Sequence, residues 1–290
     1  MTSTLTLASG QVISYRLDPV NPHTPVVILA NPLCAPFTIW DNIVPLINAA
    51  GFSVLRYNQP GHGDSSAPSP PSECTFDSIS AAVFELLQQL KIRDIHAWVG
   101  VSMGAATGIV FVSKYPGVAK KIVICGTTSL SPVNAGQPNI FASRVAAARE
   151  AGSLEATVSG TMDRWFGEKF LKIHEAEAAR IKALMLTTTL DGFEACCAAL
   201  SSKTFDLRPL FKNLGSCVSD ALLLAGQNDG DLPEQMANMR DQIQNGFSGE
   251  GRNKVVLEVI KNAGHVPFID AADDFVQLVV PFLQQRATQA

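Results

Sequence analysis

Short apolar runs alternate with amphipathic stretches along most of this 290-residue chain. Uninterrupted apolar runs are typical of strands buried on both faces of a parallel sheet, and an apolar residue every three to four positions is typical of helices. Ser9-Gly10 separates the first two strand patterns and predicts a hairpin. Strands are predicted at 4–7, 11–17, 26–30, 53–57, 95–99, 121–125, 221–226 and 255–260. This order predicts an α/β fold with a doubly wound, mostly parallel sheet.

The alternation stops between residues 132 and 204, where only helical patterns occur. We interpret this segment as a helical cap inserted into a core formed by 1–131 and 205–290. Because helices cannot extend a parallel sheet, we expect the insertion to lie over the carboxyl ends of the strands. Its helices are predicted at 141–151, 154–166, 176–186 and 192–200, and those of the core at 40–50, 76–90, 105–112, 234–243 and 273–285.

Composition narrows the class of protein. Hydrophobic residues make up 47% of the chain and charged residues 17%, which is typical of a globular protein. A net charge of −4 and the lack of any Lys/Arg run exclude a nucleic-acid-binding footprint. We expect no signal peptide and no membrane span, because the first residues alternate and no apolar run reaches about 18 residues. Six cysteines without a Cys-x-x-Cys spacing predict reduced thiols in a cytoplasmic protein.

The motif Gly100-Val101-Ser102-Met103-Gly104 lies between a predicted strand and a predicted helix. Gly-x-Ser-x-Gly in this context is the signature of a nucleophile elbow. The turn is too sharp for side chains around the serine, so glycines are needed two residues before and after it. Ser102 is therefore the candidate nucleophile, and the amide of Met103 at the helix N-terminus is a candidate oxyanion donor.

A serine nucleophile needs a base, and the base needs an acid that orients it. Asp229 and His265 each follow a predicted strand, in the chain order Ser, Asp, His. Taken alone, the aspartate could be a helix cap and the histidine a loop residue; their joint occurrence favours a triad. Asp231 is the rival acid, and we interpret it as the N-cap of the next helix. His62, between two glycines, could be a second base, but we interpret it as shaping its loop.

The second oxyanion donor is expected from the loop after strand 26–30. Leu33 is the candidate, because Pro32 has no amide proton and Asn31 lies too close to the strand end. Leu33 and Met103 are therefore the predicted pair of donors.

Several motifs of the chain together resemble those of α/β-hydrolases, and more narrowly of the 3-oxoadipate enol-lactonases. The core motifs are Asn31-Pro32-Leu33, Arg56-Tyr57, Gly61-His62-Gly63, 100–104, 226–229 and Gly264-His265; segments 144–152, 163–166 and 191–199 are similar to cap segments of that family. The chain departs from the family pattern at Pro32, Cys34, Asn58, Pro60 and Ala105, which touch the floor of the expected pocket.

The resemblance implies an α/β-hydrolase fold and hydrolysis of a small lactone without metal or cofactor, with the catalytic roles carried by Ser102, Asp229 and His265. The insertion is then expected to supply an apolar wall, lined or supported by Trp165 and Phe166. The enol-lactone substrate of that family carries carboxylates, so an arginine is expected in the pocket. Arg144 and Arg164 are the candidates; the alternative for either is a solvated charge on a helix face.

Other functions use the same residues. A thioesterase, a carbon–carbon bond hydrolase and a cofactor-free perhydrolase can share this triad, and a non-catalytic small-molecule receptor can share the fold. Ser102 disfavours dehalogenases and epoxide hydrolases, whose nucleophile is an aspartate. As partners we expect a small-molecule lactone or ester and neither nucleic acid nor membrane; the sequence is compatible with a homodimer.

Overall fold

The computed structural model describes residues 2–247 and 255–285; residues 1, 248–254 and 286–290, which belong to the two predicted core segments, lie outside these ranges. The described residues form one eight-stranded sheet in the order β1-β2-β4-β3-β5-β6-β7-β8. The strands are β1 (Ser3–Thr6), β2 (Val12–Asp18), β3 (Val26–Ala30), β4 (Ser53–Tyr57), β5 (Ile95–Val101), β6 (Ala119–Cys125), β7 (Asp220–Gly226) and β8 (Val256–Ile260). β1 and β2 pair antiparallel, β2 joins β4 antiparallel, and every later pairing is parallel. The predicted α/β fold is confirmed.

Helices connect the parallel strands and cover both faces of the sheet. They are α1 (Val44–Ala49), α2 (Phe76–Gln89), α3 (Met103–Lys114), α4 (Ile140–Ala151), α5 (Glu155–Ile173), α6 (Glu175–Met185), α7 (Leu190–Ser201), α8 (Arg208–Phe211), α9 (Leu214–Cys217), α10 (Leu232–Gln244), α11 (Pro267–Asp270) and α12 (Ala272–Gln284). Successive residues of a strand face opposite sides. Thus Ile28 packs in the layer of α2, α3 and α10, whereas its neighbours Val27 and Leu29 pack in the layer of α1 and α12.

One predicted helix of the core is wrong in its extent. The pattern at 40–50 predicts a single helix, but the chain forms a 3-10 turn at Phe37–Trp40 and then α1. Pro45 is the reason. A proline inside a longer helix would leave a carbonyl without its donor and clash with the preceding turn, whereas it is tolerated in the first turn of α1.

Helices α4–α7 lie between β6 and β7, within the segment predicted as an insertion. The two ends of this segment are joined by short antiparallel pairing. The amide of Ser131 donates to the Phe205 carbonyl at 2.9 Å, and the amide of Leu207 donates to the Ser129 carbonyl at 2.7 Å. The four helices therefore leave and rejoin the core at one place.

No single helix in 2–247 and 255–285 is long and apolar enough to cross a membrane. The pair α6 and α7 meets the criteria of length and composition only when the two are taken together, and they meet at an angle of 89°.

Candidate active site

Ser102 lies at a sharp turn between β5 and α3, with a positive φ of 56°. The turn brings backbones too close for side chains at the flanking glycines. A Cβ at Gly100 would lie 2.4 Å from the Gly104 carbonyl oxygen, and one at Gly104 would lie 2.2 Å from the Ala30 carbonyl oxygen. The strand, turn and helix predicted around Ser102 are therefore present, and the glycines are required sterically.

Asp229 and His265 lie beyond the carboxyl ends of β7 and β8, which are neighbouring strands. His265 Nδ1 and Asp229 Oδ2 are 2.7 Å apart, and the two residues are only 4% and 5% exposed. Because a carboxylate can only accept, the proton of this bond belongs to Nδ1. Nε2 is then the histidine nitrogen that is free to accept a proton.

Two further contacts fix the loop that carries His265. The amide of Gly264 donates to Asp270 Oδ2 at 2.6 Å, and the amide of His265 donates to the Trp165 carbonyl at 2.9 Å. Burial is the main cause that raises the pKa of Asp270 to about 6, and the negative charge of Asp229 adds to it. Asp270 and the Trp165 carbonyl were not singled out from the sequence.

The loop after β3 carries the second candidate oxyanion donor, Leu33. The amide of the next residue, Cys34, donates a hydrogen bond to His62 Nε2 at 2.9 Å. Among the described residues the Leu33 amide has no acceptor, and Met103 is the first residue of α3, where amides lack intrahelical acceptors. Both residues line the same cavity as Ser102, so the two candidate donors lie at the cavity of the candidate nucleophile.

His62 is fully buried and holds the loop in place. Its Nδ1 lies 3.0 Å from the Pro60 carbonyl, and its Nε2 accepts from Cys34, so the neutral tautomer with the proton on Nδ1 satisfies both contacts. Burial lowers the pKa of His62 to about 4. Cys34 has a positive φ of 64°, and burial raises the pKa of its thiol to about 12. These contacts favour the loop-shaping interpretation of His62 over a second base.

A cavity of about 440 Å³ lies between the strand ends and the helical insertion. It is lined by residues of both parts: Leu33, Cys34, Ser102, Met103, Gly126, Thr127, Thr128, Ile140, Phe141, Arg144, Thr157, Thr161, Arg164, Trp165, Phe193, Leu200, Asn228, Asp229, Gly230, Asp231, Leu232, Gln235 and His265. The insertion supplies most of its apolar wall, as well as two arginines. Three further polar residues of the lining, Thr127, Thr128 and Asn228, are not identified by the sequence analysis, although each follows a strand end and could have been found by that signal.

Of the predicted insertion residues, Arg144, Arg164 and Trp165 line the cavity, whereas Phe166 does not. The Phe166 ring meets Trp165 edge-on, with centroids 6.1 Å apart, and so supports the wall from behind. The side chains of consecutive helical residues point in directions about 100° apart, and of these two it is Trp165 that points toward the cavity. Of the two aromatic residues expected to line or support the wall, Trp165 therefore lines it and Phe166 supports it, so Phe166 is not a substrate-contacting residue of this cavity.

The two arginines have no carboxylate within ion-pair distance among the described residues. Arg164 keeps contact with solvent, yet its pKa is lowered, first by partial loss of solvation and then by the positive charge of Arg144. An anion in this cavity would relieve the repulsion between them. The cavity is thus lined by two positive charges as well as by the carboxylates of Asp229 and Asp231.

Asp231 also lines the cavity, but it is exposed and accepts from Gln235 Nε2 at 2.8 Å. It occupies the N-cap position of α10, as predicted, although its side chain accepts no helix amide. The predicted N-cap position of Asp231 is therefore confirmed, without a side-chain capping bond. Among residues 2–247 and 255–285, no group of three or more histidine, cysteine, aspartate or glutamate side chains is arranged to hold a metal ion.

Comparison with known proteins agrees with this geometry. The chain superposes with a TM-score of 0.81 on the enol-lactonase from Burkholderia xenovorans LB400, with 26% identity over 98% of this chain and 100% of the other. A hydrolase from Pseudomonas aeruginosa PA01 gives a TM-score of 0.81 and 25% identity, covering 98% of each chain. A thermophilic esterase from Thermogutta terrifontis gives 0.80 and 19%, again covering 98% of each chain, and so shares the fold. No curated protein matches the sequence significantly.

The family model of the alpha/beta hydrolase fold matches residues 25–272, which include the turn at Ser102, Asp229 and His265. The matched range spans β3 to β8, including the turn after β5 and the two loops after β7 and β8. This chain belongs to the α/β-hydrolase fold family.

Proposed function

We propose that this protein is a cofactor-free serine hydrolase that cleaves a small carboxylic ester or lactone bearing a carboxylate. One observation carries the proposal. The buried pair of Asp229 and His265, joined at 2.7 Å, lines the same cavity as Ser102 and the amides of Leu33 and Met103. Nucleophile, base, orienting acid and oxyanion donors are the parts that acyl transfer requires.

In the first half-reaction, Ser102 Oγ attacks the carbonyl carbon of the substrate while His265 Nε2 takes its proton. Asp229 holds Nδ1–H and stabilises the imidazolium that forms. The Leu33 and Met103 amides donate to the developing oxyanion. The tetrahedral intermediate then expels the ester or ring oxygen, which receives the proton from Nε2, and an acyl-enzyme on Ser102 remains.

In the second half-reaction, water attacks the acyl-enzyme and gives its proton to His265 Nε2. Collapse of the second tetrahedral intermediate releases the carboxylic acid and returns the proton to Ser102 Oγ. In a lactone the leaving oxygen stays attached to the acyl group, so one ring-opened hydroxy (or, from an enol lactone, keto) acid is the single product. The two half-reactions use the side chains and amides named above, the substrate and one water molecule.

Arg144 and Arg164 support a carboxylate on the substrate. Both line the cavity, and neither is neutralised by an acidic partner in the described part of the chain. A partly desolvated arginine–carboxylate contact contributes on the order of 2–3 kcal/mol. An enol-lactonase is found among the structural neighbours. Together with the two arginines, it makes an enol lactone bearing a carboxylate the first substrate to test.

Covalent labelling with a fluorophosphonate tests the nucleophile. We expect the wild-type protein to be labelled on Ser102, and Ser102→Ala to lose the label and at least ~10³-fold of its turnover. A panel of lactones, aryl esters and thioesters, measured with the same two proteins, identifies the bond that is cleaved. Labelling of another serine by mass spectrometry would contradict the assignment of Ser102, and an unlabelled, inactive wild type would favour a receptor.

The substrate's charge is tested with Arg144→Ala and Arg164→Ala. We expect Arg144→Ala to raise KM for an acidic lactone by about 30- to 150-fold. Arg164→Ala should raise it by about fivefold or less, because this side chain is exposed and its charge is screened by solvent. Either variant should change KM for a neutral lactone much less. Arg149→Ala is the matched control, because Arg149 lies on the same helix as Arg144 but is bound to Asp191 and Glu194 outside the cavity. Equal effects on both lactones would point to a neutral substrate and leave the hydrolase proposal standing.

A further inference from the structure

Helix α5 is interrupted two residues after Trp165. Gly167 has φ 70° and ψ 163°, a backbone conformation that is essentially restricted to glycine. Such a break leaves the carbonyl groups just before it without their intrahelical donors. The carbonyl of Trp165 is one of these groups, and since Trp165 is buried it needs a donor from elsewhere in the protein.

The donor is the amide of His265, 2.9 Å from the Trp165 carbonyl oxygen. The approach is so close that a Cβ at Gly264 would lie 1.8 Å from the same oxygen. The rings of Trp165 and His265 also stack, with centroids 5.6 Å apart and planes inclined by 30°. Backbone and side chain of one helical residue thus both contact the histidine.

His265 has two other anchors, and both come from the core. Asp229 orients its imidazole ring, and Asp270 holds the amide of the preceding residue, Gly264, at 2.6 Å. The third anchor, on the amide of His265 itself, comes from the insertion. The position of His265 in the cavity therefore depends on where the first helical segment of α5 ends, because that end leaves the Trp165 carbonyl free to accept from the His265 amide.

The geometry points to Gly167 as a positioning residue for the base, acting through the Trp165 carbonyl. This inference rests on the proposed role of His265. The turn of α5 that presents Arg164 and Trp165 to the cavity is also the turn that holds His265. Contact between substrate and this turn is consequently linked to alignment of the base, so the insertion takes part in catalysis as well as in substrate binding.

Gly167→Ala tests the inference, and Gly152→Ala is its matched control. Both glycines lie in the insertion with positive φ, and an added Cβ would meet nothing within 4 Å at either position. Alanine at 167 favours a continuous helix, in which the Trp165 carbonyl takes an intrahelical donor and the His265 amide loses its acceptor. Gly152 only ends α4 and does not line the cavity.

We expect Gly167→Ala to lower kcat at least ~10-fold, since misplacement of a reacting group by about 1 Å can cost 10²-fold, with KM changed less than ~3-fold. Gly152→Ala should stay within ~2-fold in both parameters, and urea unfolding should show that both variants are folded. Gly264→Ala perturbs the same contact from the other side and should also lower kcat. If Gly167→Ala fails to fold, Gly264→Ala decides the outcome.

A second readout does not require turnover. The amide proton of His265 should exchange with solvent faster in Gly167→Ala than in the wild type or Gly152→Ala, as followed by NMR. Wild-type kcat and unchanged exchange in Gly167→Ala would overturn the positioning role, while loss of labelling in Ser102→Ala would leave the proposed function intact. An unlabelled, inactive wild type would overturn the proposed function, and exchange at His265 would still decide whether α5 holds this loop.

Discussion

The stability of the protein should fall on mild acidification because of His62. This residue is fully buried, donates to the Pro60 carbonyl and accepts from the Cys34 amide. The accepting nitrogen must be unprotonated, so a proton on Nε2 would break the contact with Cys34. Burial lowers the pKa of His62 from 6.5 to about 4 in the folded protein. In the unfolded chain the same side chain titrates near its ordinary value of about 6.5.

The direction and size of the effect follow from this difference. Above about pH 6.5 neither state binds the proton at His62, so its contribution to stability is fully present. Between about pH 6.5 and 4 only the unfolded state binds it, and the free energy of unfolding falls as the pH falls. With 1.36 kcal/mol for each tenfold change in the protonation constant, the total loss is about 3 kcal/mol. Below about pH 4 both states are protonated and the loss ends.

Urea unfolding at several pH values between 7 and 4 measures the effect, with His62→Gln as the comparison. The glutamine oxygen can accept from the Cys34 amide but does not titrate. Asp270 works in the opposite direction, because its pKa is raised to about 6 and its protonation stabilises the folded state as the pH falls. Subtracting the variant from the wild type removes this contribution, which both proteins share.

We expect the wild type to lose about 3 kcal/mol more than His62→Gln between pH 7 and 4. His23→Gln, at an exposed loop position, should retain the wild-type pH dependence. Parallel curves for wild type and His62→Gln would refute the reasoning, because they would mean that His62 binds its proton equally well in the folded and unfolded states.

Two further predictions concern the acid and the elbow. Asp229→Asn should lower kcat by about 10³- to 10⁴-fold, since an amide facing Nδ1 favours the histidine tautomer whose Nε2 cannot accept a proton. Asp231→Asn should change kcat little and should change the free energy of unfolding by less than about 0.5 kcal/mol. If Asp231→Asn instead lost activity in an ester assay and Asp229→Asn did not, the roles of the two aspartates would be exchanged. Gly104→Ala should destabilise the protein by about 1–3 kcal/mol or more, because the added Cβ would lie 2.2 Å from the Ala30 carbonyl oxygen. Gly160→Ala, at an exposed helical position with nothing near the added Cβ, should be neutral or stabilising in the same urea titration.

The parts of the molecule built on the sheet could be predicted from sequence because each depends on a local rule. The apolar runs at 26–30 and 221–226 correspond closely to β3 and β7. The glycines around Ser102 are required by a turn whose geometry is the same wherever a strand meets a helix in this way. Asp229 and His265 were found because strand ends of a parallel sheet meet at one edge, so position along the chain implied position in space.

The contacts that join separate elements could not be predicted in the same way. Nothing near His62 in sequence indicates that its partner is the amide of Cys34, 28 residues away. The Asp270 carboxylate was equally hidden, because its role depends on a turn that brings it back to Gly264. In α1, the error came from following apolar spacing through Pro45, where the backbone rule overrides the periodic one.

The insertion shows why the chemistry of this fold is easier to infer than its substrate. Arg164, Trp165 and Phe166 are consecutive, so an α-helix directs them about 100° apart and only some can face the cavity. Which of them do depends on the phase of α5 at the point where it meets His265, and the break at Gly167 sets that meeting point. Phe166 and Trp165 are treated alike in the sequence analysis because both are aromatic, and residue type does not indicate which face of the helix a side chain occupies. The residues of the proposed triad, by contrast, are single positions that follow strand ends, so their place at the site does not depend on the rotation of a helix about its axis.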